Sequence, residues 1–164
     1  MQSYIKIIII VLIILFLGYR FFYNKEVPAL PIQNTILSNA EGKELMLSKL
    51  KNEVYIVSFF KSWCGDCRRE LPELEALQEA VGGESALRIF LVSDEDWTKI
   101  NQVKTHSKST LDFYQSSKTL KEIGIKRYPT TYLIDKNGNI VTAKVEGIYW
   151  NTAEIISQIK KLNQ

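Results

Sequence analysis

Cys64 and Cys67 are the only two cysteines of the chain, in the run Trp63-Cys64-Gly65-Asp66-Cys67 that follows an apolar, β-like stretch. Two thiols with two residues between them, where a strand gives way to a helix, close and reopen a disulfide without moving the rest of a fold. No third thiol exists to make the pair part of a structural framework. Reversible dithiol–disulfide chemistry is the reading that follows.

The spacing also assigns the two sulfurs different work. Cys64 falls at the helix head, where unpaired N–H groups and the positive end of the dipole favour a thiolate. It is therefore expected to titrate below an ordinary thiol. Cys67 lies one turn further in, expected to be more buried, and can attack Cys64 once a mixed disulfide has formed. Gly65 tolerates a close partner. Asp66 suits the dipole but opposes a neighbouring thiolate. A zinc site would need two more ligands. The chain has no third cysteine, and its single histidine, His106, lies among Lys104, Ser107 and Lys108 and reads as a solvent-facing loop residue. Neither a metal nor another cofactor is expected.

Glu70 is the next residue with chemistry in it. Positions 70, 74, 77 and 81 share one helical stripe, so Glu70 falls in line with Leu74, Leu77 and Val81, one turn past Cys67. On the core side its carboxyl would have a raised pKa and could exchange a proton near Cys67. Pro72 disturbs the phase of this helix, and an ordinary surface glutamate is the equal alternative. Pro129 either starts a strand or is a cis proline beside the cysteines that presents the backbone of Tyr128 to an extended substrate. Trp63 is core or a lid over the sulfurs. Trp97 and Trp150 are read as packing residues.

These side chains need a scaffold, and the periodicities supply one. Thr35–Ser38 and Lys43–Leu47 flank Asn39-Ala40-Glu41-Gly42 as a hairpin. Buried strands are expected at 53–60 and 87–92, and a helix from about Gly65 to Ala80 that stops at Gly82-Gly83. Residues 94–104 have helical spacing, with Trp97, Ile100 and Val103 on one face. Ser117–Ile123 reads as a short helix closed by Gly124. Strands at 130–134 and 140–145 join through Asp135-Lys136-Asn137-Gly138-Asn139. Asn151 is read as the cap of a last helix with Ile155, Ile156 and Ile159 inward. The order implies an α/β fold, a central mixed sheet with helices on both faces.

Ahead of this domain, residues 1–23 hold an uninterrupted apolar run from Ile7 to Leu17, with Lys6 and Arg20 near its ends and aromatics at 19 and 21–23. The segment reads as an uncleaved signal anchor, a single transmembrane helix. A cleaved signal peptide is the rival, but small residues are missing at the cleavage position. Residues 24–34, with Pro28 and Pro31, read as a tether, and 35–164 as the domain. A short amino-terminal tail on the inside would put that domain on the outer face of the membrane. Lys6 and Arg20 are two of the 21 basic residues, so 24–164 hold 19 against 18 acidic ones. Without a basic block, nucleic acid is not a partner.

Three segments together resemble one family: Val57-Ser58-Phe59-Phe60-Lys61-Ser62-Trp63-Cys64-Gly65-Asp66-Cys67, Cys67-Arg68-Arg69-Glu70-Leu71-Pro72, and Tyr128-Pro129-Thr130-Thr131-Tyr132-Leu133-Ile134-Asp135. The domain resembles the thioredoxin superfamily, in its membrane-anchored TlpA/ResA-like branch of thiol–disulfide oxidoreductases. The resemblance implies a cis bond at Pro129, Cys64 as exposed nucleophile, Cys67 as resolving thiol, and a functional Glu70. Substrate contact is placed at Trp63, Tyr128, Pro129 and Thr130. The buried aspartate of cytosolic thioredoxins is Ser58 here, which takes away a proton relay at that position. What the resemblance implies is a reductase of extracytoplasmic protein disulfides at the bacterial cytoplasmic membrane, recharged by a membrane electron donor and linked to cytochrome c maturation. The alternatives are a disulfide oxidase or isomerase using the same residues, or a copper-delivery or redox-sensing module, for which no further soft ligands are evident.

Overall fold

The computed structural model describes residues 2–23, 30, 35–50 and 52–164; within the first helix, side chains are described only for 6–16 and Gly18. From Thr35 the chain builds one seven-stranded mixed sheet. Its strands are β1 (Ile36–Ser38), β2 (Glu44–Met46), β3 (Tyr55–Phe59), β4 (Arg88–Ser93), β5 (Asp112–Ser116), β6 (Thr130–Ile134) and β7 (Ile140–Val145), in the order β2-β1-β5-β4-β3-β6-β7. The three central strands β3, β4 and β5 run parallel, and every outer pairing is antiparallel.

The helices are α1 (Gln2–Tyr23), α2 (Gly65–Val81), α3 (Trp97–Ser107) and α4 (Ala153–Leu162). Strand alternation divides the core in two. Ile56 and Phe60 join α2, α3 and α4 through Leu74, Leu77, Ile100, Val103, Ile155 and Ile159. Tyr55, Val57 and Phe59 face the other way, onto Phe90, Tyr132, Leu47 and the segment holding Leu120, Ile123 and Ile125. Among the described residues, α2, α3 and α4 cover one face, and the other is covered by the short 3-10 helix Leu47–Lys49 and the turn at 120–124.

The reason is local. Where a short helix is expected at 117–123, the chain makes only about one turn: Ile123 N donates to Thr119 O at 3.3 Å, and Ile125 N reaches Leu120 O at 2.8 Å past Gly124, whose φ of 84° ends it. Lys118 N donates to Ser116 Oγ, Thr119 N to Glu122 Oε2 at 2.8 Å, and Leu120 N to Asp94 Oδ2 at 2.8 Å. These are the bonds of a helix start, whose first amides have no partner within the helix, and Glu122 N returns a bond to Thr119 Oγ1 at 3.2 Å. Strand β5, absent from the sequence reading, pairs in parallel with β4 and antiparallel with β1. The cap of α4 is Thr152 rather than Asn151; its hydroxyl accepts from Ile155 N. His106 lies in the last turn of α3, exposed, rather than in a loop.

The membrane anchor is also corrected. In α1 the side chains of Ile7 to Phe16 stand exposed. Among the described residues no helix is long and apolar enough to cross a membrane. With the transmembrane helix go the readings that rest on it: the single-pass topology, the periplasmic or outer-face location, the membrane-anchored branch, the membrane electron donor and the link to cytochrome c maturation. The tether at 24–34 lies outside the described residues, Leu30 excepted.

Candidate active site

Strand β3 ends at Phe59, and the chain turns tightly into α2, with Cys64 N donating to Lys61 O at 3.0 Å. Cys64 is the N-cap of α2 in extended conformation, and its Sγ accepts from Cys67 N at 3.1 Å. The two cysteines are joined by a disulfide, with their Cα atoms 5.3 Å apart. Both are buried, Cys64 to 6 % and Cys67 to 4 % exposure, so burial separates them much less than their positions suggest.

The loop that carries them is clamped to the end of β4. Ser62 donates from both N and Oγ to the Glu95 carboxylate, at 2.5 and 2.9 Å. Lys61 pairs with Asp94. Trp63 is left standing out at 68 % exposure, edge-on to Tyr128 with ring centroids 5.9 Å apart. Trp63 is thus no core residue. Beside it a groove of about 310 Å³ opens between α2 and α3, lined by Ser62, Trp63, Arg68, Gln102, Val103 and His106.

The Tyr128–Pro129 peptide is cis, and Pro129 O accepts from Glu146 N at 2.7 Å. Tyr128 is half-buried. Thr130 is buried and donates its hydroxyl to Arg127 O at 2.7 Å, so its side chain serves the turn. The structure thus brings Trp63, Tyr128 and the cysteines to one end of the sheet, and turns Thr130 inward.

Glu70 falls on the core face after all, at 1 % exposure, in the same stripe as Leu74 and Leu77. Pro72 is exposed on the opposite side of the helix and leaves that phase intact. The carboxylate has three partners. Ser58 Oγ is hydrogen-bonded to Oε2 at 2.7 Å, while Thr131 Oγ1 and Trp150 Nε1 reach Oε1 at 2.8 Å each. Burial pushes the Glu70 carboxyl up to about 7, against the opposing pull of those three bonds and of the Lys144 charge. Such a group changes protonation near neutral pH, one helical turn from Cys67.

Sequence reasoning misjudged two of these partners and missed the third, Thr131. Trp150 is read as packing, yet it is also a carboxyl ligand. Ser58 is read as the loss of a relay position, yet its hydroxyl touches the carboxyl that the relay needs. The alternation of β3 carries the signal for Ser58, since it shares the face of Ile56 and Phe60, toward α2. Thr131 follows from the register, directly opposite Ser58 on β6. Among the described residues no group of three or more His, Cys, Asp or Glu side chains converges.

Comparisons with known proteins agree with this geometry. A profile of the Redoxin family matches residues 24–159. The chain is 28 % identical over 145 residues to the thiol-disulfide oxidoreductase ResA of Geobacillus thermodenitrificans, covering 82 % of each. It is 28 % identical over 124 residues to the sporulation thiol-disulfide oxidoreductase A of Bacillus subtilis, covering 73 % of this chain and 72 % of that protein. A putative thiol-disulfide oxidoreductase from Bacteroides vulgatus superposes with a TM-score of 0.65 at 26 % identity, over 84 % of this chain and 99 % of that one. The chain therefore belongs to the Redoxin family, as a thioredoxin-fold thiol–disulfide oxidoreductase whose redox-active pair is Cys64 and Cys67.

Proposed function

We propose that this enzyme exchanges disulfides with other proteins, with Cys64 as the attacking sulfur, Cys67 as the resolving one and Glu70 as the proton partner of Cys67. In the reduced enzyme the Cys64 thiolate attacks a substrate disulfide. One substrate S–S bond breaks, one mixed S–S bond forms, and the first substrate sulfur leaves as a thiolate. Cys67 then gives its proton to ionised Glu70 and attacks Cys64 Sγ. The mixed bond breaks, the Cys64–Cys67 disulfide closes, and the second substrate sulfur departs. Two electrons have moved to the substrate, and the reverse sequence returns them.

The observation that carries the reading is the placement of Cys64 as the cap of α2, where its sulfur receives the Cys67 amide. A sulfur in that position meets the unsatisfied donors of a helix start, which favour its thiolate. Glu70, buried a turn behind Cys67, supplies a proton acceptor that is itself poised near neutrality. Trp63, Tyr128 and Pro129 form the rim against which an extended substrate would lie.

Trapping separates the roles. Cys67→Ser, with Cys64 reduced, should accumulate a mixed disulfide between Cys64 and a disulfide-containing protein substrate such as scrambled ribonuclease, resolved by mass spectrometry. Cys64→Ser should accumulate far less. Equal trapping by both variants would refute the assignment of attacker and resolver.

A further inference from the structure

Three short distances around Glu70 contain a proton count. Ser58 Oγ is 2.7 Å from Glu70 Oε2, Thr131 Oγ1 is 2.8 Å from Glu70 Oε1, and the two hydroxyl oxygens are 2.8 Å from each other. The contacts close a ring whose third member is the carboxyl group. Each of its three edges has hydrogen-bond length, and each edge holds one proton. Ser58 and Thr131 bring one proton apiece.

If Glu70 is ionised, two protons serve three edges, and one pair of oxygens faces itself at hydrogen-bond distance with nothing between. If Glu70 is protonated, the count closes. Glu70 donates from Oε2 to Ser58, Ser58 donates to Thr131, and Thr131 donates to Oε1. Trp150 stands outside this count, because an indole N–H only donates and reaches Oε1 in either state.

We infer that Ser58 and Thr131 are a matched pair of positioning residues that hold Glu70 in its acid form, with the proton on Oε2 toward β3. The register builds the pair, since Ser58 and Thr131 are direct partners across β3 and β6, and both are fully buried. The other groups facing the carboxyl are few. Cys67 precedes it on α2, and Lys144 approaches from β7, itself under the charges of Glu73 and of Glu154 on α4. Lys144 and Trp150 favour the ionised form, and burial favours the acid. The place of the ring in the reaction rests on the proposed role of Glu70; its chemistry does not.

The ring reverses a familiar expectation. Taken as simple donors, Ser58 and Thr131 each lower the Glu70 pKa, and removing either should raise it. In the ring, removing one hydroxyl leaves a single edge. The acid form then has two protons for that edge and must orphan one in the interior, whereas the ionised form has one and is satisfied. Removal should therefore lower the pKa.

The test is an infrared titration of the full-length oxidised protein, following the protonated-carboxyl C=O band assigned by its loss in Glu70→Gln. Thr131→Val should move the midpoint down by about one pH unit, and Thr131→Ser should restore it. Ser58→Ala should also move it down, which keeps the test available if one variant fails to fold. Trp150→Phe should move it up. A rise or no change in both hydroxyl variants overturns the inference, as does an equal fall in Trp150→Phe. Since the band reports Glu70 directly, failure of disulfide exchange would sink the proposed function and leave this count standing.

Discussion

Glu70 and Trp150 lie eighty residues apart in the chain and 2.8 Å apart in the fold, the indole N–H donating to the carboxyl. Further contacts hold the same segment, which follows β7 and leads into α4. Asn151 N donates to Glu73 Oε2 at 3.3 Å, and Lys144 lies over the Trp150 ring at 4.8 Å. Two acidic residues of α2 one turn apart, buried Glu70 and half-buried Glu73, thus hold the chain that leads into α4. The carboxyl a turn from the cysteines is fixed by an element the active-site motif does not contain.

That burial gives folding a pH dependence. The Glu70 carboxyl goes from an ordinary 4.5 to about 7 in the fold. The folded state therefore binds more protons than the unfolded state between those values, and stability falls as pH rises through that window. The total is about 3 kcal/mol, present in full below pH 4.5 and absent above about 7. Glu70→Gln, which keeps the shape and cannot ionise, should flatten this contribution. Urea unfolding at pH 5 and pH 8 measures it; an unaltered difference between the two in the variant would contradict the assignment.

Asp94 joins two pieces of the site's frame, pairing with Lys61 through Oδ1 and accepting from Leu120 N through Oδ2. Burial raises its pKa, but the hydrogen bonds from Lys61 and Leu120 and the Lys61 charge outweigh that and leave it below the ordinary value. Its contribution is thus present above the unfolded pKa and lost as pH falls through the folded one. Asp94→Ala should cost about 2 kcal/mol at pH 7, because it strands a half-buried ammonium and a backbone amide. The loss should shrink toward pH 3, as read by chemical denaturation at both values.

Trp63 is anchored below and exposed above, with Tyr128 against its edge and the groove toward α3 on its other side. An aromatic so placed contributes to binding a polypeptide and little to the sulfur chemistry. Trp63→Ala should lower kcat/KM for a protein disulfide about ten-fold and leave the rate with a small-molecule disulfide nearly unchanged. Equal losses with both substrates would move Trp63 from recognition to catalysis.

Much of this site is legible in the sequence because it is local. The phase of α2 places Glu70 beside Leu74 and Leu77, and the helix ends at Gly82, whose φ of 117° stops it as the Gly82-Gly83 pair signals. The hairpins around Gly42 and Gly138 form where their turn residues fall. What escapes is non-local or contested. No spacing rule relates Trp150 to Glu70. Ser58 meets Thr131 only because β6 lies against β3 in one register. Strand β5 has polar residues at Asp112 and Gln115 and gains its place from two distant neighbours. At 117–123 the apolar pattern is helical and its start is capped by Thr119 and Glu122, but Gly124, in the left-handed region, closes it after about one turn.

The cap of α2 has a consequence of its own. The atom that receives the Cys67 amide is the sulfur of Cys64, and a negatively charged sulfur is a stronger acceptor than one bound in a disulfide. Gain of electrons by the pair should therefore tighten the first turn, and their loss should slacken it. A single amide proton, that of Cys67, becomes a gauge of the enzyme's charge state, readable by its deuterium exchange without any substrate present.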